Sequence, residues 1–205
     1  MTIRPLIAAA LTVGLLAPFA VLAAPEVGKP APDFKAVSAD GSTVELSALR
    51  GRTVVLEWTN HDCPFVKKHY NSGNMQATQA HAAAHDAVWL QVISSEPGSQ
   101  GHVSGDKARQ LNADRQVRNV SHTLLDEKGA VGRAYGAQVT PHMYIIDAQG
   151  VLQYMGAIDS IATAREADIP KATNYVIESL DAMKAGQPVP EPVTRAYGCT
   201  IKYAS

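Results

Sequence analysis

The stretch that most constrains this chain is TVVLEWT, residues 53–59, a short unbroken run of β-branched and apolar residues that closes four positions before Cys63-Pro64. Such a run reads as a buried strand covered on both faces. Pro64 cannot sit inside a helix but suits a first helical turn, where its missing N–H has no partner to lose. The pattern therefore passes from strand to helix across HDCPF. It predicts a helical segment from Pro64 to about Asp86, broken near Asn71-Ser72-Gly73.

The rest of the chain repeats that alternation. VWLQVIS, residues 88–94, is a second strand, and SGDKARQLNADRQV predicts a serine-capped helix over Asp106 to Gln116. HTLLDEKGAVGRAYGA offers a strand, a turn and a short helix closed by Gly136, and VTPHMYIIDAQGVLQYMGAID offers two strands around a Gln149-Gly150 turn. Asp147 and Asp159, at strand ends, read as turn residues. Residues 163–184 predict a closing helix with Tyr175, Val176, Leu180 and Met183 on one apolar face. Upstream, FKAVSADGSTVEL alternates on both sides of Asp40-Gly41, a hairpin signal. The expected architecture is α/β: a mixed central sheet flanked by helices, with an N-terminal β-hairpin and an extended, proline-rich tail over 186–205. No repeat or second domain is visible, so residues 25–205 read as one domain. In such sheets chemistry collects beyond the carboxyl ends of the strands, where Cys63 falls.

The N-terminus carries one positive charge at Arg4, then an apolar run, then the small-residue sequence Val21-Leu22-Ala23-Ala24. That is the layout of a secretory signal peptide over residues 1–24, and Pro18 interrupts the run in a way that argues against a lasting membrane anchor. Export puts the two cysteines in an oxidising compartment, periplasmic or extracellular, where they can form a disulfide. A formal net charge of -1 supplies no field that would draw the protein to nucleic acid.

A thiol reacts as its thiolate, and a helix N-terminus stabilises that anion through unpaired N–H groups and the positive end of its dipole. Cys63 stands at such a point. Lys67 and Lys68 would add to the effect if they face back toward the sulfur, while Asp62 would oppose it, and on balance a lowered pKa and an exposed nucleophile are expected. Position 66 is valine, so a dithiol within one helical turn is excluded. The only other cysteine, Cys199, lies far along the chain. If the tail folds back, Cys199 can attack a sulfenic acid or mixed disulfide on Cys63; it can also be half of a permanent staple, or never meet Cys63 at all.

Trp58 ending a strand, Cys63-Pro64 opening a helix, and Thr140-Pro141 before HMYIID resemble the thioredoxin fold. The resemblance implies a cis proline at Pro141, with the Val139-Thr140 backbone left free to pair with a substrate chain. More narrowly, WTNHDCPFVKKHY, LLDEKGAVGRAYGA, TPHMYIID, YMGAID and YGCTIKY are similar to redoxin and peroxiredoxin-like proteins of the alkyl hydroperoxide reductase and thiol-specific antioxidant superfamily, over roughly residues 27–203. In the pattern P-x-x-x-T-x-x-C this chain has Leu56 and Asn60 at the proline and threonine places, with Thr59 one place off. The implied site is Cys63 as attacking thiolate and Cys199 as resolver, with Thr59, Asn60, Pro64, Thr140 and Pro141 shaping the substrate side. The implied partners are a peroxide or protein disulfide and an external thiol reductant, with no bound cofactor.

Histidines carry the alternative. His81 and His85 stand four apart on one helical face, with His69 and Met75 upstream and His61 near Cys63. Thiolate and imidazole both suit copper, so a periplasmic copper-binding or delivery module is the second function class. Four-spaced histidines in an alanine-rich helix read first as solvated surface residues, and no metal site is assigned. His61 could instead share a proton with Cys63.

Overall fold

A computed structural model describes residues 24–205. The leader reading falls on residues outside that range. The N-terminal hairpin is formed by β1 (Lys35–Val37) and β2 (Thr43–Glu45). The turn between them places Gly41 at φ +85° and lets Asp40 accept from both the Ser42 amide, at 2.9 Å, and its hydroxyl, at 2.6 Å.

The central sheet has five strands: β3 (Val54–Trp58), β4 (Val88–Ile93), β5 (His122–Leu125), β7 (His142–Ile146) and β8 (Leu152–Gly156). Their spatial order is β5-β4-β3-β7-β8, with the first two pairings parallel and the last two antiparallel. This is the mixed sheet of a thioredoxin-like fold. α1 (Pro64–Asn71) and α2 (Asn74–Ala84) connect β3 to β4, and α3 (Gly105–Asp114) connects β4 to β5. α4 (Ala130–Ala134) precedes the short strand β6 (Val139–Thr140). The closing helix α5 (Tyr175–Lys184) and a last short strand, β9 (Cys199–Thr200), complete the chain.

The two-residue period of β3 sorts its side chains onto two cores. Val54, Leu56 and Trp58 pack with Leu90, Tyr144 and Tyr135 on the face covered by the N-terminal segment and α4. Val55 packs with Trp89, Met143, Ile145 and Tyr154 on the face covered by α1, α2 and α5, and Cys63 belongs to this second cluster. Truncating a residue such as Leu56, fully buried here, costs about 2–5 kcal/mol in comparable cores. Glu57 breaks the apolar run but is equally buried, held by Tyr70 Oη at 2.7 Å and Trp89 Nε1 at 2.8 Å. Burial pushes its carboxyl up from the ordinary value while those hydrogen bonds oppose the shift.

Two expectations need correction. The closing helix does not run over 163–184: Glu166–Lys171 form a 3₁₀ turn containing Pro170, and α5 begins only after Asn174, whose side chain accepts from the amides of Val176 and Ile177 at 3.1 Å each. Asp159 is more than a turn residue, although its carboxylate does accept from the Ile161 amide at 3.1 Å. It is buried and ion-paired to Lys68, whereas Asp147 does shape the β7–β8 turn by accepting from the amides of Gln149 and Val151.

Candidate active site

After Trp58 the chain stays with the sheet for one more hydrogen bond, from the Thr59 amide to Val92 O at 3.0 Å, and then turns. Asn60 makes the turn: its carbonyl accepts from the Cys63 amide at 3.1 Å and its side chain from the Asp62 amide at 2.9 Å. Its amide group is wedged under Gly101, where an added Cβ would come within 2.6 Å of it. Asn60 therefore fixes the loop that delivers Cys63 and does not face a substrate. Thr59 is also buried. Its hydroxyl faces the Glu57 carboxyl without closing a well-formed hydrogen bond, and it lines a small cavity of about 20 Å³ with Gln91, Asn112, Arg115 and Thr123, which Cys63 does not border.

Cys63 is the N-cap of α1 and Pro64, exposed, is its first residue. The sulfur takes none of the helix's amides. It donates instead to the Thr140 carbonyl oxygen at 3.1 Å, and Cys63 is 0% exposed. The strand-to-helix junction was expected to expose a nucleophile; the structure seals it. The cover is the chain's own tail. The lysines do not help the sulfur either: Lys67 lies at the surface 3.9 Å from Asp62, and Lys68 turns inward to Asp159. His61 pairs with Asp62 at 3.3 Å and has no hydrogen bond to Cys63.

The Thr140–Pro141 peptide bond is cis. The Val139-Thr140 backbone is not free, however: β6 pairs antiparallel with β9, setting Thr140 opposite Cys199 and Val139 opposite Thr200. The tail thus lies where a substrate strand was expected, and a cysteine sits at the position facing Thr140. Cys199 is half-buried. Burial, then the neighbouring Cys63 thiol, push the Cys199 thiol up to about 12, with Lys202 opposing. Both cysteines are free thiols.

Close approach is possible because residue 198 is glycine: at φ +139°, an added Cβ would stand 1.9 Å from the Thr140 oxygen. The strap is pinned along its length. Thr194 joins the β8 edge through Met155 O at 3.1 Å. Ile201 is buried in the first core and donates to Gln138 O at 2.9 Å. The Tyr203 ring lies against Gly132 and its hydroxyl donates to Ala137 O at 2.7 Å. Tyr197, two residues before Cys199, reaches a buried polar group missed in the sequence. There Lys68 Nζ donates to Asp159 Oδ2 and Ile161 O at 2.9 Å each, and Tyr197 Oη donates to Asp159 Oδ1. His69 Nε2 lies 3.2 Å from the same hydroxyl, and burial pushes its imidazole down to about 4, with Asp159 opposing. No local spacing announces this group, since its members come from α1, the end of β8 and the tail; an inward lysine is its only signal. His81 on α2 and His85 at its C-cap lie with Asp181 of α5 and do not converge on the thiols. No helix among the described residues is long and apolar enough to cross a membrane.

A family model described as the AhpC/TSA family matches residues 27–155. Among curated proteins none matches the chain. Of solved structures, an uncharacterized conserved protein from Geobacillus kaustophilus is 25% identical with a TM-score of 0.74, covering 87% of this chain and 93% of that one. A hypothetical protein from Sinorhizobium meliloti is 20% identical with a TM-score of 0.72, covering 89% and 97%. A peroxidoxin from Mycobacterium tuberculosis is 16% identical with a TM-score of 0.55, covering 78% and 98%.

Proposed function

Since the chain belongs to the AhpC/TSA family, whose model matches well over half of it, we propose that it is a thiol oxidoreductase in which Cys63 attacks and Cys199 resolves within the same chain. The observation that carries this reading is the register of β6 against β9. It holds Cys199 opposite Thr140, the residue whose carbonyl receives the Cys63 thiol. A general oxidoreductase role follows from the family; the oxidant, the resolver and the compartment belong to the proposal.

The chemistry balances as two steps. The Cys63 thiolate attacks one oxygen of a hydroperoxide, the O–O bond breaks, the alcohol or water leaves with a proton, and Cys63 becomes a sulfenic acid. The Cys199 sulfur then attacks the Cys63 sulfur, water leaves, and a Cys63–Cys199 disulfide remains. An external dithiol returns both electrons and is itself oxidised to a disulfide. A small peroxide is favoured over a protein disulfide because it needs only a brief opening of the strap, whereas a protein strand would have to take the place of β9 along the β6 edge. The oxidant reaches Cys63 when the strap lifts, so opening gates the first step and closing delivers the second thiol. The leader-like residues 1–24 support a periplasmic or extracellular home, where such a disulfide persists.

The test is to treat reduced protein with one equivalent of hydrogen peroxide and map its peptides without reductant. The expected product is the Cys63–Cys199 bond in the native protein and a trappable Cys63 sulfenic acid in Cys199→Ser. Intact thiols in both would defeat the peroxidase reading. A mixed disulfide formed only with an added oxidised protein would transfer the role to disulfide exchange.

A further inference from the structure

We propose that His81, His85 and Asp181 form a binding site for one divalent transition-metal ion, of the kind zinc occupies. The site is separate from the thiol pair. His81, in the last turn of α2, and His85, its C-cap, stand four residues apart, and Asp181 faces them from α5, so the three donors come from two packed helices. One ligand atom from each lies within 4.8 Å of the other two. More specifically, both imidazole Nε2 atoms aim at the same carboxylate oxygen, Asp181 Oδ1, at 2.7 Å from His81 and 3.4 Å from His85, with the two rings 4.5 Å apart.

Zinc bonds of about 2.0–2.1 Å at tetrahedral angles hold ligand atoms about 3.3 Å apart. The cluster, joined by the His81–Asp181 hydrogen bond, therefore needs shifts of about an ångström to become three sides of that coordination sphere, with the Nε2 hydrogens replaced by the metal. Two imidazoles and one carboxylate are a donor set that zinc accepts, and water supplies the fourth ligand. Solvent reaches the cluster, since the His81 and Asp181 side chains are 30% and 54% exposed; His85 alone of the three also borders an open cavity of about 310 Å³. Lys184 opposes a cation through its charge on His85, and the Asp181 carboxylate offsets it.

The placement says what the ion would do. Thr53, which lines the same cavity, precedes β3, whereas Cys63 follows it, so the triad sits at the opposite end of the sheet from the sulfurs. An ion there ties α2 to α5 and takes no part in thiol chemistry.

The experiment uses tag-free protein carrying Cys63→Ser and Cys199→Ser, to exclude thiolate ligands, titrated with Zn²⁺ against a chromophoric chelator. One zinc per chain is expected. His81→Ala should weaken it more than about 100-fold, beyond the 10–100-fold cost of losing an outer-sphere partner, and Asp181→Asn at least about tenfold. At a hundredfold excess over Kd the thermal midpoint should rise by about 5–10 °C in the parent and not in the variants. Asp181 is largely at the surface, so Asp181→Asn keeps the test open should a histidine variant fold poorly. Absence of stoichiometric binding, or equal affinity in the parent and Asp181→Asn, overturns the proposal.

Discussion

Replacing Asp159 by asparagine should do two measurable things at once. The Lys68 and Asp159 side chains are 0% and 2% exposed and meet at 2.9 Å, so the ammonium has no solvent to fall back on. In Asp159→Asn it keeps only neutral acceptors, Ile161 O at 2.9 Å and Tyr197 Oη at 3.4 Å. Removing one partner of a buried ion pair costs about 3–5 kcal/mol, because the remaining charge stays desolvated and uncompensated. For a chain of this size that is a fall of about 6–20 °C in the thermal midpoint. The same change weakens the acceptor that holds the Tyr197 hydroxyl, so the strap opens more often and Cys63 is alkylated faster under reducing conditions. The assay pairs urea unfolding, followed by circular dichroism, with timed maleimide labelling of Cys63. A control separates charge from shape: with Lys68→Met and Asp159→Leu together no charge is stranded, and most of the loss should be recovered. A cost below about 1 kcal/mol, or labelling unchanged from the native protein, would refute the reasoning.

Three further outcomes follow from the same geometry. Gly198→Ala places a methyl against the Thr140 carbonyl, and an overpacking cost of about 1–3 kcal/mol should raise the open fraction, and with it the Cys63 labelling rate, by about 5–150-fold; an unchanged rate would show that β9 does not gate the sulfur. Oxidation to the Cys63–Cys199 bond closes a loop of more than a hundred residues and should stabilise the fold by up to about 5 kcal/mol, read as a higher midpoint that reductant or Cys199→Ser abolishes; equal midpoints in both redox states would contradict it. His69, held neutral by burial near a pKa of about 4, leaves the unfolded chain binding an extra proton below its ordinary value of 6.5, so its contribution is complete above that pH and falls away toward pH 4, by up to about 3 kcal/mol. Glu57, pushed up from 4.5, acts in the opposite sense as pH rises, so the comparison is between native protein and His69→Gln, whose acid limb should be flatter; parallel profiles would sink the assignment.

The sheet was legible because β3 and β4 carry unbroken apolar runs and because Pro64, Gly41 and Gly150 mark where the chain must turn. The closing helix starts later than its composition suggests: residues 163–171 contain good helix formers, but Pro170 and the Asn174 cap hold its start at Tyr175. At the site, the junction that brings Cys63 to the sheet's edge was visible, and so was the proline that follows Thr140. Its cover was not. Whether YGCTIKY lies over Cys63 or hangs in solvent depends on a strand pairing between residues about sixty positions apart, for which the sequence holds no periodic signal. The inward turn of Lys68 was missed for the same reason, since helical spacing alone gives it and Lys67 similar claims on the sulfur, and only Asp159 and Tyr197 decide between them.

Because β9 and the residues just after it supply the covering thiol, the Ile201 plug and the Tyr203 anchor, Cys63 is shielded by a segment far along the chain from it. A chain truncated before Cys199 carries an uncovered sulfur with no built-in quencher, open to oxidation by a peroxide or to exchange with any passing disulfide. An affinity handle fused behind Ser205 therefore burdens the latch itself.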